Sequence, residues 1–224
     1  MTDDIYLEVG AKRVFACAAD WPGWARSAKT DDEAVEALLA YGDRYRKAVS
    51  AARQGFKAPS SLRIVDRVRG DATTDFGAPG IELPGDSRPI AEKEAKRLAA
   101  LLKACWATFD LTAEAATGAR LRKGPRGGGR DRAKIIQHVL DAERAYLGKL
   151  GGRYEQRDRG GVPGAMAAVR DGYVTAFLTR AAGEPPPKPP KRAKLWSPRY
   201  AVRRSAWHAL DHAWEIDDRV EGSG

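Results

Sequence analysis

The chain has 224 residues, 43% of them hydrophobic, which is enough for one large domain or two small ones with an ordinary core. No apolar run approaches the roughly 18 residues of a membrane helix, and Met1-Thr2-Asp3-Asp4 is acidic where a signal peptide is basic and then apolar, so a cytoplasmic protein that enters no membrane is expected. The net charge of +9 is uneven, with 12 Lys/Arg against 10 Asp/Glu in residues 1–70, none against 4 in 71–87 and 27 against 16 in 88–224, an excess that can attract nucleic acid or anionic small molecules but names no function.

Taken in order, Ile5–Val9 and Arg13–Ala19 are short β-type runs separated by Gly10-Ala11, which predicts a hairpin. After the loop Asp20-Trp21-Pro22-Gly23-Trp24, Thr30 and Glu33 form a capping box. They open a helix that keeps Ala34, Leu38, Tyr41 and Tyr45 on one face and should end near Gly55. Leu62, Ile64 and Val68 predict a further strand in which Val65 breaks the alternation. With Asp20-Trp21-Pro22-Gly23-Trp24 and Thr30-Asp31-Asp32-Glu33-Ala34 ahead of a long helix, residues 1–70 resemble the small HicB-like antitoxin fold, a ββαβ domain. That resemblance implies a protein-interaction and dimerisation module and hence a homodimer; an N-terminal cap packed on the main domain is the alternative.

Residues 71–87 mix Gly, Pro and polar residues without periodicity and read as a linker. Cys17 and Cys105 form no Cys-x-x-Cys pair, which argues against a disulfide scaffold and a thiolate zinc site. Each is expected as a small buried hydrophobe, with a reactive thiol at Cys105 as the alternative. From Pro89 to the end, four helices are expected. The first carries Leu98, Leu101, Leu102, Cys105, Trp106 and Phe109 and fades near Gly118. The second runs from Asp131 to Leu150 and the third from about Pro163 to Gly183. The fourth begins at Ser197-Pro198 and stops at Gly222.

Two connections stand out. Glu184–Arg192 is proline-rich and should be extended. Arg120–Arg132 combines consecutive glycines with five Arg and one Lys ahead of a helix N-terminus, so Arg126, Arg130 and Arg132 are candidates for binding a phosphate or carboxylate. No Gly-Lys-Ser/Thr closes it as a P-loop, and a solvated connection is the plainer reading.

The chain has three histidines. His208 and His212, four residues apart, leave one face of the last helix, and His138 points with the apolar side of the second. Neutral imidazole is the commonest metal ligand, and three protein ligands with an open position describe a catalytic site; a set of histidines alone suits zinc or nickel, with copper and iron as alternatives. Asp141, Glu143, Asp211 and Glu215 are the acids available to orient the rings. The simpler alternative makes all three partly buried polar residues with carboxylate partners.

The segment Ile135-Ile136-Gln137-His138-Val139-Leu140-Asp141-Ala142-Glu143, together with Arg203-Arg204-Ser205-Ala206-Trp207-His208-Ala209-Leu210-Asp211-His212, resembles the DinB-like superfamily over about residues 88–221 of a domain spanning 88–224. That superfamily is a metal-binding four-helix bundle and includes thiol-dependent transferases and maleylpyruvate isomerases. The resemblance implies His138, His208 and His212 as ligands of a divalent metal, a small-molecule substrate and a low-molecular-weight thiol. The N-terminal domain and the proline-rich link depart from its pattern. An α+β fold is expected, with a DinB-like bundle behind the ββαβ domain. Three functions follow: a metal-dependent transferase, isomerase or hydrolase; a binding or regulatory protein using the HicB-like domain and basic surface on nucleic acid or protein; and a structural homodimer without chemistry.

Overall fold

Alternating apolar residues at the N-terminus form β1 (Thr2–Val9) and β2 (Val14–Ala18), an antiparallel hairpin closed where Gly10 N donates to Arg13 O at 2.9 Å. The computed structural model describes residues 2–123, 129–154, 160–186 and 194–221. A further strand, β3 (Ala25–Ala28), pairs antiparallel with β2 and adds to the expected ββαβ order. Ala25-Arg26-Ser27-Ala28 has no β-branched or aromatic residue, so pairing with a buried neighbour makes it a strand where propensity does not.

The capping box forms as expected at the start of α1 (Asp31–Ala40). The helix then breaks at Tyr41 and resumes as α2 (Gly42–Ala48) and a 3₁₀ turn (Ser50–Ala52). The break lets the chain close on itself: a Cβ at Gly42 would meet Ala58 at 3.2 Å, and Tyr45 stacks on Trp24 at 5.8 Å.

Strand β4 (Ser61–Arg69) lies parallel to β1 and completes a sheet of order β3-β2-β1-β4. Ile5 pairs with Ile64 and Tyr6 with Asp66, so Val65 is the extra residue of a β-bulge, which explains the lost alternation. Both faces of the sheet's centre are covered. Ile5, Leu7 and Ala16 share a core with Ala34 and Leu38, whereas Tyr6, Phe15 and Cys17 pack with Trp207.

Residues 71–87 fold down as α3 (Ala72–Phe76), a connecting loop and a 3₁₀ turn (Pro84–Ser87). Two acids hold them. The buried Glu8 carboxylate accepts from Thr74 Oγ1 (2.5 Å), Gly80 N (2.8 Å) and Ile81 N (3.1 Å). Asp86 accepts both ends of the Arg203 guanidinium fork at 2.5 and 2.6 Å.

Four helices follow, α4 (Glu92–Ala115), α5 (Arg132–Lys149), α6 (Gly161–Ala181) and α7 (Pro198–Arg219). Helix α4 packs on α6 and α7, and α5 packs on the same two, so the four close into a bundle. The expected stop at Gly222 and most of the proline-rich link lie outside the described residues. Helix α7 is buried around most of its circumference because the bundle covers one side and the sheet the other, with Trp207 edge-on to Phe15 at 5.9 Å. The Pro22-Gly23 loop presses on it directly. Gly23 has φ +95°, and a Cβ there would stand 3.0 Å from Leu210 and 3.3 Å from Ala206, so glycine is required. Cys17 and Cys105 are buried, and burial pushes both thiols up, which leaves them as small packing groups. Among the described residues no helix is long and apolar enough to cross a membrane.

Candidate metal centre

Asp131 caps α5 by accepting from Lys134 N, and two turns on the helix presents His138 to α7, where the i, i+4 spacing stacks His208 and His212 on one face. The three histidines meet. Their nearest ring nitrogens all lie within 4.8 Å of one another, and this is the group of His, Cys, Asp or Glu residues among those described that can hold a metal ion. Ring centroids are 5.1 Å (His138–His208), 4.9 Å (His138–His212) and 4.6 Å (His208–His212) apart. His208 and His212 are 7% and 8% exposed, and His138 forms the more open rim.

The chemistry of this donor set fits a cation. His138 Nε2 and His208 Nε2 face each other at 3.2 Å, close to the roughly 3.3 Å that separates two nitrogens about 2.05 Å from one tetrahedral ion. Two facing lone pairs need a proton or a cation between them. Burial, then the charge of His212, holds the His138 pKa below its usual value. His208 lies further down, through burial first, then His212 and His138, then Arg204 and Arg130. Both rings are therefore neutral at pH 7 and keep a lone pair for a ligand bond.

Of the four acids the sequence offers, Glu215 takes the orienting role. Its Oε2 lies 2.7 Å from His212 Nδ1, so the ring donates there and leaves Nε2 free. Burial would raise the Glu215 pKa, but His212 and Arg219 outweigh it and hold the carboxyl below its usual range, so it is ionised and accepts. Arg219 donates to its other oxygen at 2.5 Å. The remaining acids have other partners: Asp141 takes Gln137 at 2.9 Å, Asp211 takes Arg26 at 3.3 Å, and Glu143 points into the bundle core. His208 Nδ1 is buried and has no hydrogen-bond partner.

Glu143 is 1% exposed, faces Arg170 Nε at 3.0 Å and shares that guanidinium with Asp110 at 2.6 Å. Burial outweighs Arg170 and pushes its pKa up from 4.5 to about 7. Between those two values the folded state binds the extra proton, so stability is greatest at low pH and declines as pH rises towards 7. The Glu143→Gln variant lacks this titration. Its stability relative to wild type should improve by about 2 kcal/mol between pH 5 and pH 7 in urea unfolding, and parallel curves would refute the assignment.

The candidate anion-binding arginines separate. Arg130 lies within electrostatic reach of His138 and His208, and its carbonyl oxygen accepts from Arg219 at 3.0 Å. Arg132 Nε donates to the Ala113 carbonyl oxygen near the end of α4. Arg126 lies outside the described residues. Beside the histidines stand Tyr146, on the same side of α5 as His138 and edge-on to His208 at 5.7 Å, and Arg204, one turn before His208, whose guanidinium lies over Trp207 at 5.0 Å and Tyr146 at 5.8 Å. Helical spacing puts each beside a histidine of its own helix, and only their contact with each other needs α5 against α7.

Compared with protein-family models, with curated proteins and with solved structures, the chain matches none.

Proposed function

We propose that the chain is a metal-dependent protein of the DinB-like kind, in which His138, His208 and His212 hold a divalent ion, zinc or nickel, and which acts on a small molecule as a transferase, isomerase or hydrolase, with a low-molecular-weight thiol as the candidate co-substrate. The observation that carries it is the meeting of three imidazoles, two of them held neutral by burial, with Glu215 fixing the tautomer of the third. When bound, such an ion supplies Lewis acidity and makes a coordinated nucleophile more acidic. The rest belongs to this chain. Glu215 and Arg219 hold His212, Tyr146 walls His208 from the side, and the half-open His138 leaves a path for a ligand. A bundle closed around α7 keeps these groups rigid, as preorganised catalysis requires.

The test is metal content by plasma mass spectrometry on protein purified without an affinity tag, followed by assays of thiol addition to activated electrophiles. About one zinc or nickel per chain is expected, as one three-histidine site dictates. Protein that stays metal-free after reconstitution would rule the proposal out.

A further inference from the structure

We propose that the histidine centre takes a ligand with an anionic end, a carboxylate- or phosphate-bearing small molecule, and that Arg204 and Arg130 hold that end. This rests on the metal reading above and gives its substrate a chemical class.

The arginines around α7 divide by partner. Arg26 pairs with Asp211, Arg170 with Glu143, Arg199 with Glu94, Arg203 with Asp86 and Arg219 with Glu215. Each of these charges is matched. Arg204, whose guanidinium lies over the Tyr146 ring beside His208, and Arg130, whose carbonyl oxygen accepts from the Arg219 that holds Glu215, have no carboxylate at ion-pair distance among the described residues. Arg122, tied to the far end of α7 through the Asp218 carbonyl oxygen, is likewise without a carboxylate among the described residues, so what marks Arg204 and Arg130 is their place beside the histidines.

Arg204 is also held in place. It lies one helical turn before His208 and leaves the same face of α7. Its guanidinium rests over Trp207 and Tyr146, and one N–H donates to the Pro79 carbonyl oxygen at 3.0 Å. A guanidinium fixed this way loses little freedom when it grips an anion, and its remaining N–H donors fit the paired oxygens of a carboxylate or phosphate. Arg130 is anchored through its backbone, because Arg219 ties its carbonyl oxygen to the helix that carries Glu215. A fixed guanidinium at Arg204, with Arg130 anchored nearby through its backbone, makes a field that selects an anion.

Cobalt(II) loading separates this inference from the reading under it. Cobalt occupies nitrogen sites of this type and has visible bands that respond to bound ligands. The probes are 3-mercaptopropionate, 3-mercaptopropionamide, which keeps the thiol for the metal and replaces the carboxylate by a neutral amide, and 2-mercaptoethylphosphonate, titrated against the cobalt spectrum.

In wild type, 3-mercaptopropionate or the phosphonate should bind about tenfold or more tighter than the amide, as one charge-assisted grip dictates, and the tighter acid identifies the head group. Arg204→Gln should erase the preference and leave the spectrum of the unliganded cobalt protein unchanged, which also reports that the variant is folded. Arg130→Gln should reduce it, and Arg204→Lys should retain part of it. Cobalt bands with equal affinity for acid and amide overturn the anion site and leave the metal centre standing. Absence of cobalt bands overturns the metal reading and this inference with it.

Discussion

Replacing His208 by alanine is expected to abolish metal binding in equilibrium dialysis, whereas replacing Glu215 by alanine should weaken it about 10–100-fold, the usual effect of losing an orienting partner. The hierarchy follows from position. His208 is the most enclosed of the three rings, faces His138 at 3.2 Å and lies 4.6 Å, centroid to centroid, from His212, so its removal takes the central ligand and leaves two where three are needed. Glu215 touches the cluster only through His212 Nδ1. Without it the imidazole can turn or exchange tautomers, which lowers affinity but keeps all three nitrogens. His138→Ala and His212→Ala should resemble His208→Ala. A Glu215→Ala loss as complete as that of His208→Ala would mean that the carboxylate is itself a ligand; a His208→Ala protein that binds metal like wild type would dissolve the centre.

The histidines were legible because helical spacing is a local property. Two of them sit four residues apart with a proline and a serine marking the helix start, so only the meeting of α5 with α7 needed the fold. The capping box at Thr30 and the break at Val65 were legible for the same reason, the second as a lost alternation that the parallel pairing of β1 and β4 turns into a bulge. Choosing Glu215 over Asp141, Glu143 and Asp211 was not possible from sequence. All four lie on the right helices, and what separates them is which neighbour reaches each one across the bundle.

Composition misled where long-range partners decide. Residues 71–87 carry turn formers and acids and no periodicity, yet Glu8 and Arg203 tie them down from 66 to 117 residues away. Strand β3 likewise has no strand signal of its own and exists because β2 offers it a ladder. Arg203 and Arg204 are alike in sequence and differ only in what the fold brings to them, a carboxylate for Arg203 and a backbone carbonyl for Arg204.

The Arg203–Asp86 pair leads to the second large effect. Asp86→Ala should destabilise the protein by about 3–5 kcal/mol, because it leaves a buried guanidinium with no counter-ion. The side chains are 9% and 3% exposed, the contact is bidentate, and Tyr6 lies 5.7 Å from the guanidinium carbon, so solvent cannot replace the lost carboxylate. Removing both partners is different. Asp86→Ala combined with Arg203→Met takes the charge away with its partner and should recover most of the loss, since buried pairs are commonly replaceable by apolar packing. For a chain of this size the single variant should lower the midpoint of thermal unfolding by on the order of 10 °C by circular dichroism. Arg203 faces Tyr6 of the sheet while His208 faces His138 of α5, so folded Asp86→Ala protein should still bind metal. A variant as stable as wild type would show that water reaches Arg203 and that residues 71–87 hang on the fold rather than brace it.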